Sequence, residues 1–280
     1  LKQCNLTEKS CADLASVLSS ENSKLTELDL SLNEIKDSGV KKLYKELKNC
    51  KLQNLRLEDC DLTEKSCVDL AKVLQSGNSK LIELHLSKNR GLKDSGVNKL
   101  CEGLKNENCK LEKLWLEHCF LTEISCADLA SVLKSGNSKL IELHLSKNRG
   151  LKDSGVNKLC EGLKNENCKL QKLWLAECSI KKKGFAALAS ALIKNPSSPL
   201  EELDLSGNEL EESELELLRE LRTKFPNLKV KLAECSVTDE GCAAQASEKP
   251  SSPLKEQDLS VNDLKESEQK LLTDDESESH

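Results

Sequence analysis

Methionine is absent from the 280 residues, and aromatics are nearly so: two tryptophans, one tyrosine and three phenylalanines, 2% in all. The interior must therefore be aliphatic, with leucine as its main component. There is no basic excess either. Lysine and arginine number 42 against 48 acidic residues, for a net charge of −6. That balance opposes nucleic-acid binding, which needs a concentrated basic face. No run is apolar enough to cross a bilayer, and no signal peptide opens the chain. No Cys-x-x-Cys pair suggests zinc. The phosphate loop G-x-x-x-x-G-K-[ST], the metalloprotease H-E-x-x-H and the nucleophile elbow G-x-S-x-G are all missing. The four histidines, His85, His118, His144 and His280, stand beside no nucleophile. These absences point away from an enzyme, and no cofactor or metal is expected.

What the chain has is repetition. Residues Ser76 to Leu111, 36 in all, recur without one change at Ser135 to Leu170, a shift of 59. No fold requires surface lysines and asparagines to match at that offset, so the block is a copied unit in an array. Length alone suggests one or two domains. The array overrides that count, because stacked repeats form one continuous body. Two unit types alternate, each about 26 to 30 residues long, the spacing of leucine-rich repeats. One reads Leu81-Ile82-Glu83-Leu84-His85-Leu86-Ser87-Lys88-Asn89, and the other Leu111-Glu112-Lys113-Leu114-Trp115-Leu116-Glu117-His118-Cys119.

Within a unit the LxLxx run has period two and predicts a short strand. A helical segment follows: Val97, Leu100, Cys101 and Leu104 in one type, and Cys67, Leu70, Ala71 and Leu74 in the other, are spaced i, i+3, i+4, i+7. Asp94 or Ser95 is expected to cap the first kind of helix. Neither element can bury its apolar face alone, and stacking buries both. Parallel strands sit roughly 4.8 Å apart, whereas helices need roughly 8–10 Å. The predicted fold is therefore an α/β horseshoe solenoid, with a parallel sheet on the concave face and helices on the convex face. The turn asparagines Asn33, Asn89, Asn148, Asn208 and Asn262 are expected to satisfy buried backbone groups, since an amide both donates and accepts.

The 14 cysteines also fall at repeat positions. Equivalent sites one unit type apart lie roughly 10 Å from each other, beyond the roughly 7 Å that a disulfide spans between Cα atoms. They read as small, buried, reduced thiols of a cytoplasmic protein.

The predicted repeat domain covers residues 1–272. Its last unit, about 233–272, is degenerate: Gln245 replaces Leu188, and Gln257 replaces Leu203. Residues 273–280, TDDESESH, carry nothing to bury and are expected to be disordered. At the other end Leu1 starts in mid-repeat without a polar cap, so the chain reads as part of a longer protein.

Side chains between the strand leucines point to the inner face. The first in each strand runs Glu83, Lys113, Glu142, Lys172, Glu202, Lys229, Glu256, a predicted ladder of opposite charges. The second runs His85, Trp115, His144, Trp174. Both tryptophans are expected to face solvent, and tryptophan is enriched at binding hot spots. His85, Lys113, Trp115, Glu142, His144, Lys172 and Trp174 are accordingly the candidate partner-binding residues. The histidines are too widely spaced to share a metal.

Strings such as DSGVNKLCEGLKNENCKLEKLWLEHC and LTEISCADLASVL resemble the alternating repeats of ribonuclease inhibitor and the C-terminal repeats of NOD-like receptors of the NLRP and NLRC3-like kind. The resemblance covers residues 1 to about 232 strongly and 233 to 272 weakly. It implies a regulatory module that senses a protein or microbial ligand and helps hold an N-terminal NACHT-type domain inactive. The alternative it implies is a free-standing inhibitor of cationic ribonucleases. That role favours an acidic inner face, whereas this one alternates in sign.

Overall fold

The computed structural model describes residues 1–209 and 214–235. The degenerate unit beyond residue 235, the tail 273–280, and Cys242, Gln245, Gln257 and Asn262 lie outside the described residues. Every LxLxx run among those described forms a three-residue strand: β1 (Glu27–Asp29), β2 (Asn54–Arg56), β3 (Glu83–His85), β4 (Lys113–Trp115), β5 (Glu142–His144), β6 (Lys172–Trp174), β7 (Glu202–Asp204) and β8 (Lys229–Lys231). They make one parallel sheet in sequence order. The helices α1 (Ser10–Ser19), α2 (Lys36–Leu47), α3 (Glu64–Leu74), α4 (Lys93–Leu104), α5 (Glu123–Leu133), α6 (Lys152–Leu163), α7 (Lys182–Lys194) and α8 (Leu215–Lys224) form the second layer.

The leucine rows explain why such short strands persist. Leu55, Leu84, Leu114, Leu143 and Leu173 occupy one register position across the sheet, and all are buried. Each contributes roughly 1.5–3 kcal/mol relative to exposure. The expected helix faces are buried as well: Val97, Leu100, Cys101 and Leu104 of α4, and Cys67, Leu70, Ala71 and Leu74 of α3. Neighbouring helices approach closely where Gly103 faces Ala71. A Cβ on Gly103 would lie 3.0 Å from the Ala71 Cα and carbonyl oxygen. Because helices are wider than strands, the helical layer takes the outside of the bend and the sheet lines the inside.

The asparagine turns satisfy the backbone as expected. Asn89 donates through Nδ2 to Leu57 O at 2.7 Å and Leu86 O at 2.9 Å. Its Oδ1 accepts from Cys60 N at 2.9 Å and Leu62 N at 3.1 Å. One side chain thus ties its own coil to the one before. Asn33, Asn148 and Asn208 make equivalent bonds. In the other unit type the thiol takes a smaller share: Cys60 Sγ donates to Leu30 O at 3.2 Å, and Cys119 Sγ to Leu86 O at 3.3 Å. The described cysteines stand as free thiols, and all but Cys4 are buried. Cys4 departs from the expectation because it sits on the first coil, whose outer side carries no other coil of this chain. Burial pushes the Cys60, Cys119 and Cys178 thiols up to about 12, so they are not nucleophiles near neutral pH.

One capping expectation is corrected. Asp94 does not cap its own helix, whose start at Leu92 has no side-chain cap. Its carboxylate instead reaches the next helix. It accepts from Thr122 N at 2.9 Å, from Thr122 Oγ1 at 2.6 Å, and from the amide and hydroxyl of Ser125. Asp37 does the same for Thr63 and Ser66 one pair of coils earlier. The orphan N–H groups at the α5 start, one coil away, are the ones this carboxylate satisfies. Burial alone would raise the Asp94 carboxyl, but bonds from Ser125 and Thr122 outweigh it and hold the group below the ordinary carboxylate value. The substitution D94A is expected to cost about 2 kcal/mol, because a cap and its charge-assisted bonds disappear together. A urea midpoint within experimental error of the parent would contradict this role for Asp94.

Candidate concave-face site

The strand register decides what the inner face can present. Glu83 pairs in register with Lys113, Lys113 with Glu142, and Glu142 with Lys172. The ladder forms through the centre. Lys113 Nζ lies 3.0 Å from Glu83 and 3.9 Å from Glu142, and Lys172 Nζ lies 3.5 Å from Glu142. Farther on, Glu202 meets Lys231 at 2.6 Å. Such pairs are worth little individually, roughly 0–1 kcal/mol where exposed. Their effect is to cancel charge beside the aromatic row. Glu256, the last member of the predicted ladder, lies outside the described residues.

The second row is a stack of rings. The centroids of His85 and Trp115 are 3.7 Å apart, those of Trp115 and His144 4.4 Å, and those of His144 and Trp174 3.7 Å. The rings are near parallel, at 9°, 19° and 9°. Parallel in-register strands produce this directly, since one strand spacing is close to one ring spacing. The expectation of openly solvent-facing tryptophans is therefore modified. Each ring face covers its neighbour, both tryptophans are half-buried, and His144 is only 8% exposed. What remains on the surface is a ridge of ring edges. Among the described residues, the indole N–H groups of Trp115 and Trp174 have no acceptor. Stacked aromatic pairs add roughly 0.5–1.5 kcal/mol beyond their buried area, so the ridge is rigid before any ligand arrives.

Both histidines lie near carboxylates, His85 beside one and His144 between two. His85 Nε2 lies 3.7 Å from Glu83, and His144 Nε2 lies 3.9 Å from Glu142. His144 Nδ1 lies 3.6 Å from Glu117. These distances are too long for hydrogen bonds, and the Nε2 atoms of both are buried without a partner. Burial together with the nearby Arg56 charge pushes the His85 pKa down to about 4, against the pull of Glu83. For Glu83, burial would raise the carboxyl, but the Lys113 bond outweighs it and holds the pKa low. All seven sequence-selected residues thus share one continuous strip. Glu117 was missed, since it lies just past its strand and reaches His144 across the coils. Among the described residues, no group of three histidine, cysteine or acidic side chains is placed to hold a metal. No helix among them is long and apolar enough to cross a membrane.

One parallel strand per coil, a helix behind it and an asparagine turn between define a leucine-rich repeat protein. Family models described as leucine-rich repeats match residues 21–43, 77–101, 136–160 and 199–221. The chain carries leucine-rich repeats and is homologous to both ribonuclease inhibitor and the repeat regions of NACHT, LRR and PYD domains-containing proteins. The ribonuclease inhibitor of Mus musculus is 41% identical over 278 residues, covering 97% of this chain and 59% of that protein. NACHT, LRR and PYD domains-containing protein 3 of Homo sapiens is 42% identical over 247 residues, covering 86% of this chain and 23% of that protein. Protein 12 of the same series in Mus musculus is 46% identical over 198 residues, covering 70% and 18%. The chain therefore spans less than two thirds of the length of these relatives.

Proposed function

We propose that these repeats are the protein-binding, regulatory module of a cytoplasmic NOD-like receptor, acting on an attached NACHT-type nucleotide-binding domain and on a protein or microbial ligand. The module itself performs no catalysis and needs no cofactor. The observation that carries the reading is the pre-stacked ridge from His85 to Trp174, flanked by Lys113, Glu142 and Lys172 in mutual ion pairs. A rigid aromatic surface with little net charge loses little conformational entropy when a partner docks. The homology to NACHT-containing proteins supplies the partner class. The repeat domain is taken to run through residue 272, with 273–280 as a tail.

Coding sequence upstream of Leu1 is expected to encode a phosphate loop, and the repeats should bind that module in trans. Trp115→Ala and Trp174→Ala should each weaken this binding at least about tenfold, as expected for an aromatic hot spot. Calorimetric titration reads the effect. Unchanged affinity in both variants removes the ridge from the interface. An upstream sequence without a phosphate loop removes the receptor reading.

The second reading, a free-standing inhibitor of a cationic ribonuclease, is supported by the longer alignment, 97% of this chain. The charge cancellation along the ladder weighs against it, because steering a basic partner favours net negative potential. Submicromolar inhibition of a basic ribonuclease by the isolated chain would reverse this ranking.

A further inference from the structure

The two copies of the 36-residue block bracket one stretch, residues 112–134, that was not copied with them. That stretch breaks the polar pattern of the turns at two exposed positions. Phe120 stands where the other units have Asn5, Asp61 and Ser179, and Ile124 stands where they have Lys9, Lys65 and Lys183. Phe120 is 53% exposed and Ile124 58% exposed. These side chains are on the rim of the horseshoe, in the turn after β4 and the first turn of α5, away from the ring ridge.

The backbone makes Phe120 the more unusual of the two. Its φ is +56°, and the counterpart residues sit at +53°, +56° and +57°. Asparagine and aspartate tolerate this left-handed conformation through local hydrogen bonding, whereas a bulky side chain is strained there. The fold thus holds a large apolar ring in a position that favours a small polar residue, and holds it in water. Its local contacts, with Arg90 and with the His118 ring at 5.9 Å, leave the side chain 53% exposed. A strained, exposed side chain of this kind points to a binding role.

The surroundings define the partner's chemistry. The Arg90 guanidinium lies 5.4 Å from the Phe120 ring centroid, and no carboxylate among the described residues pairs with it. On the other side a cleft of about 540 Å³ opens beside Phe120, lined in part by His118, Lys147, Arg149 and Glu177. Lys147 and Arg149 share the single acid Glu177, at 3.7 and 3.8 Å. Arg90 and Arg149 are copies of one another, so the duplication set one arginine on each flank of Phe120. Three cations around one acid and an apolar centre leave a positive excess.

We propose that the Phe120 rim is a second docking site, separate from the concave ridge, for an acidic peptide segment that buries one apolar side chain against Phe120 and the cleft while its carboxylates meet Arg90 and Arg149. Apolar anchoring supplies burial, and arginine supplies bidentate recognition of carboxylates. The site does not depend on the receptor reading.

The test is a phage-displayed library of short random peptides, panned on the full chain. Enriched sequences are then synthesised with a fluorophore for anisotropy titration. The expected winners join acidic residues to a phenylalanine, leucine or tryptophan. Phe120→Asn and Arg90→Glu should each weaken them at least about tenfold, and Trp174→Ala should leave them unchanged. Phe120→Asn should also melt no lower than the parent, since it relieves the left-handed strain. Three results overturn the proposal: no enrichment, enriched peptides that are neutral or basic, or acidic peptides that bind both rim variants undiminished. A dimer in sedimentation that Phe120→Asn dissociates would overturn it too, by assigning the patch to self-association.

Discussion

Replacing Asn148 with alanine is expected to cost on the order of 4 kcal/mol or more, since three buried backbone groups lose their partners at roughly 1–3 kcal/mol each and a fourth, Leu145 O, keeps only the Cys178 thiol at 3.3 Å. Those groups are Leu116 O and Leu145 O, to which Nδ2 donates at 2.9 and 2.8 Å, and the amides of Cys119 and Leu121, which donate to Oδ1 at 3.0 and 3.1 Å. Asn148 is 1% exposed, so in the parent these groups are shielded from bulk solvent. The loss falls between β4 and β5, in the middle of the array. Repeat stability is a sum of coils and their interfaces, so a damaged central interface uncouples the two halves. Chemical denaturation followed by circular dichroism should show a lower midpoint and a broadened or split transition. A single transition within about 1 kcal/mol of the parent would refute the account, being less than the loss of even one such group in the middle of that range.

The second large effect concerns acid. His85 has a pKa of about 4 in the fold, against about 6.5 in an unfolded chain. The unfolded chain therefore takes up a proton that the native one refuses. The stabilisation is fully present above pH 6.5 and is lost as pH falls toward 4, reaching about 3 kcal/mol. The side chain is 15% exposed, so solvent screening reduces this little. Glu83, Asp37 and Asp94 have lowered pKa values, and their contributions vanish at still lower pH, with the same sign. The variant His85→Phe keeps a ring in the stack but removes the titration. Its stability should be flat between pH 6.5 and 4.5 where the parent declines. Parallel declines in the two proteins would mean that the buried imidazole is not the source.

The solenoid was legible from two periodicities and one repeat length. The LxLxx runs became strands at every described position, because leucines two apart on one face have no other way to be buried at that spacing. The charge ladder and the order His85, Trp115, His144, Trp174 followed from the in-register stacking of strands. Other features depended on distances that a linear reading does not contain. Asp94 looked like the cap of the helix it begins, yet its acceptor oxygens serve Thr122 and Ser125 a coil away. The tryptophans looked solvent-facing until ring spacing was set against strand spacing, which closes the gaps between them. Phe120 carried no expectation in the linear reading. Its meaning emerged once the turn was seen to be left-handed and Arg90 was found over the ring. A repeat-by-repeat comparison of Asn5, Asp61, Phe120 and Ser179 carries that signal.

The copied block has a topological consequence. Leu111 and Leu170 end identical coils, so the segment beginning at Gln171 finds on the first of them the same seat that it occupies on the second. A chain that skipped residues 112–170 would join without a seam, with β6 lying against β3 in the register it otherwise shares with β5. Extruding such a loop costs closure entropy that grows only with the logarithm of its length. The array can thus shorten or lengthen by a fixed pair of coils while every junction stays native. The same property gives a refolding chain one well-matched wrong partner, and the uncopied stretch that holds Phe120 is what the mistake would leave out.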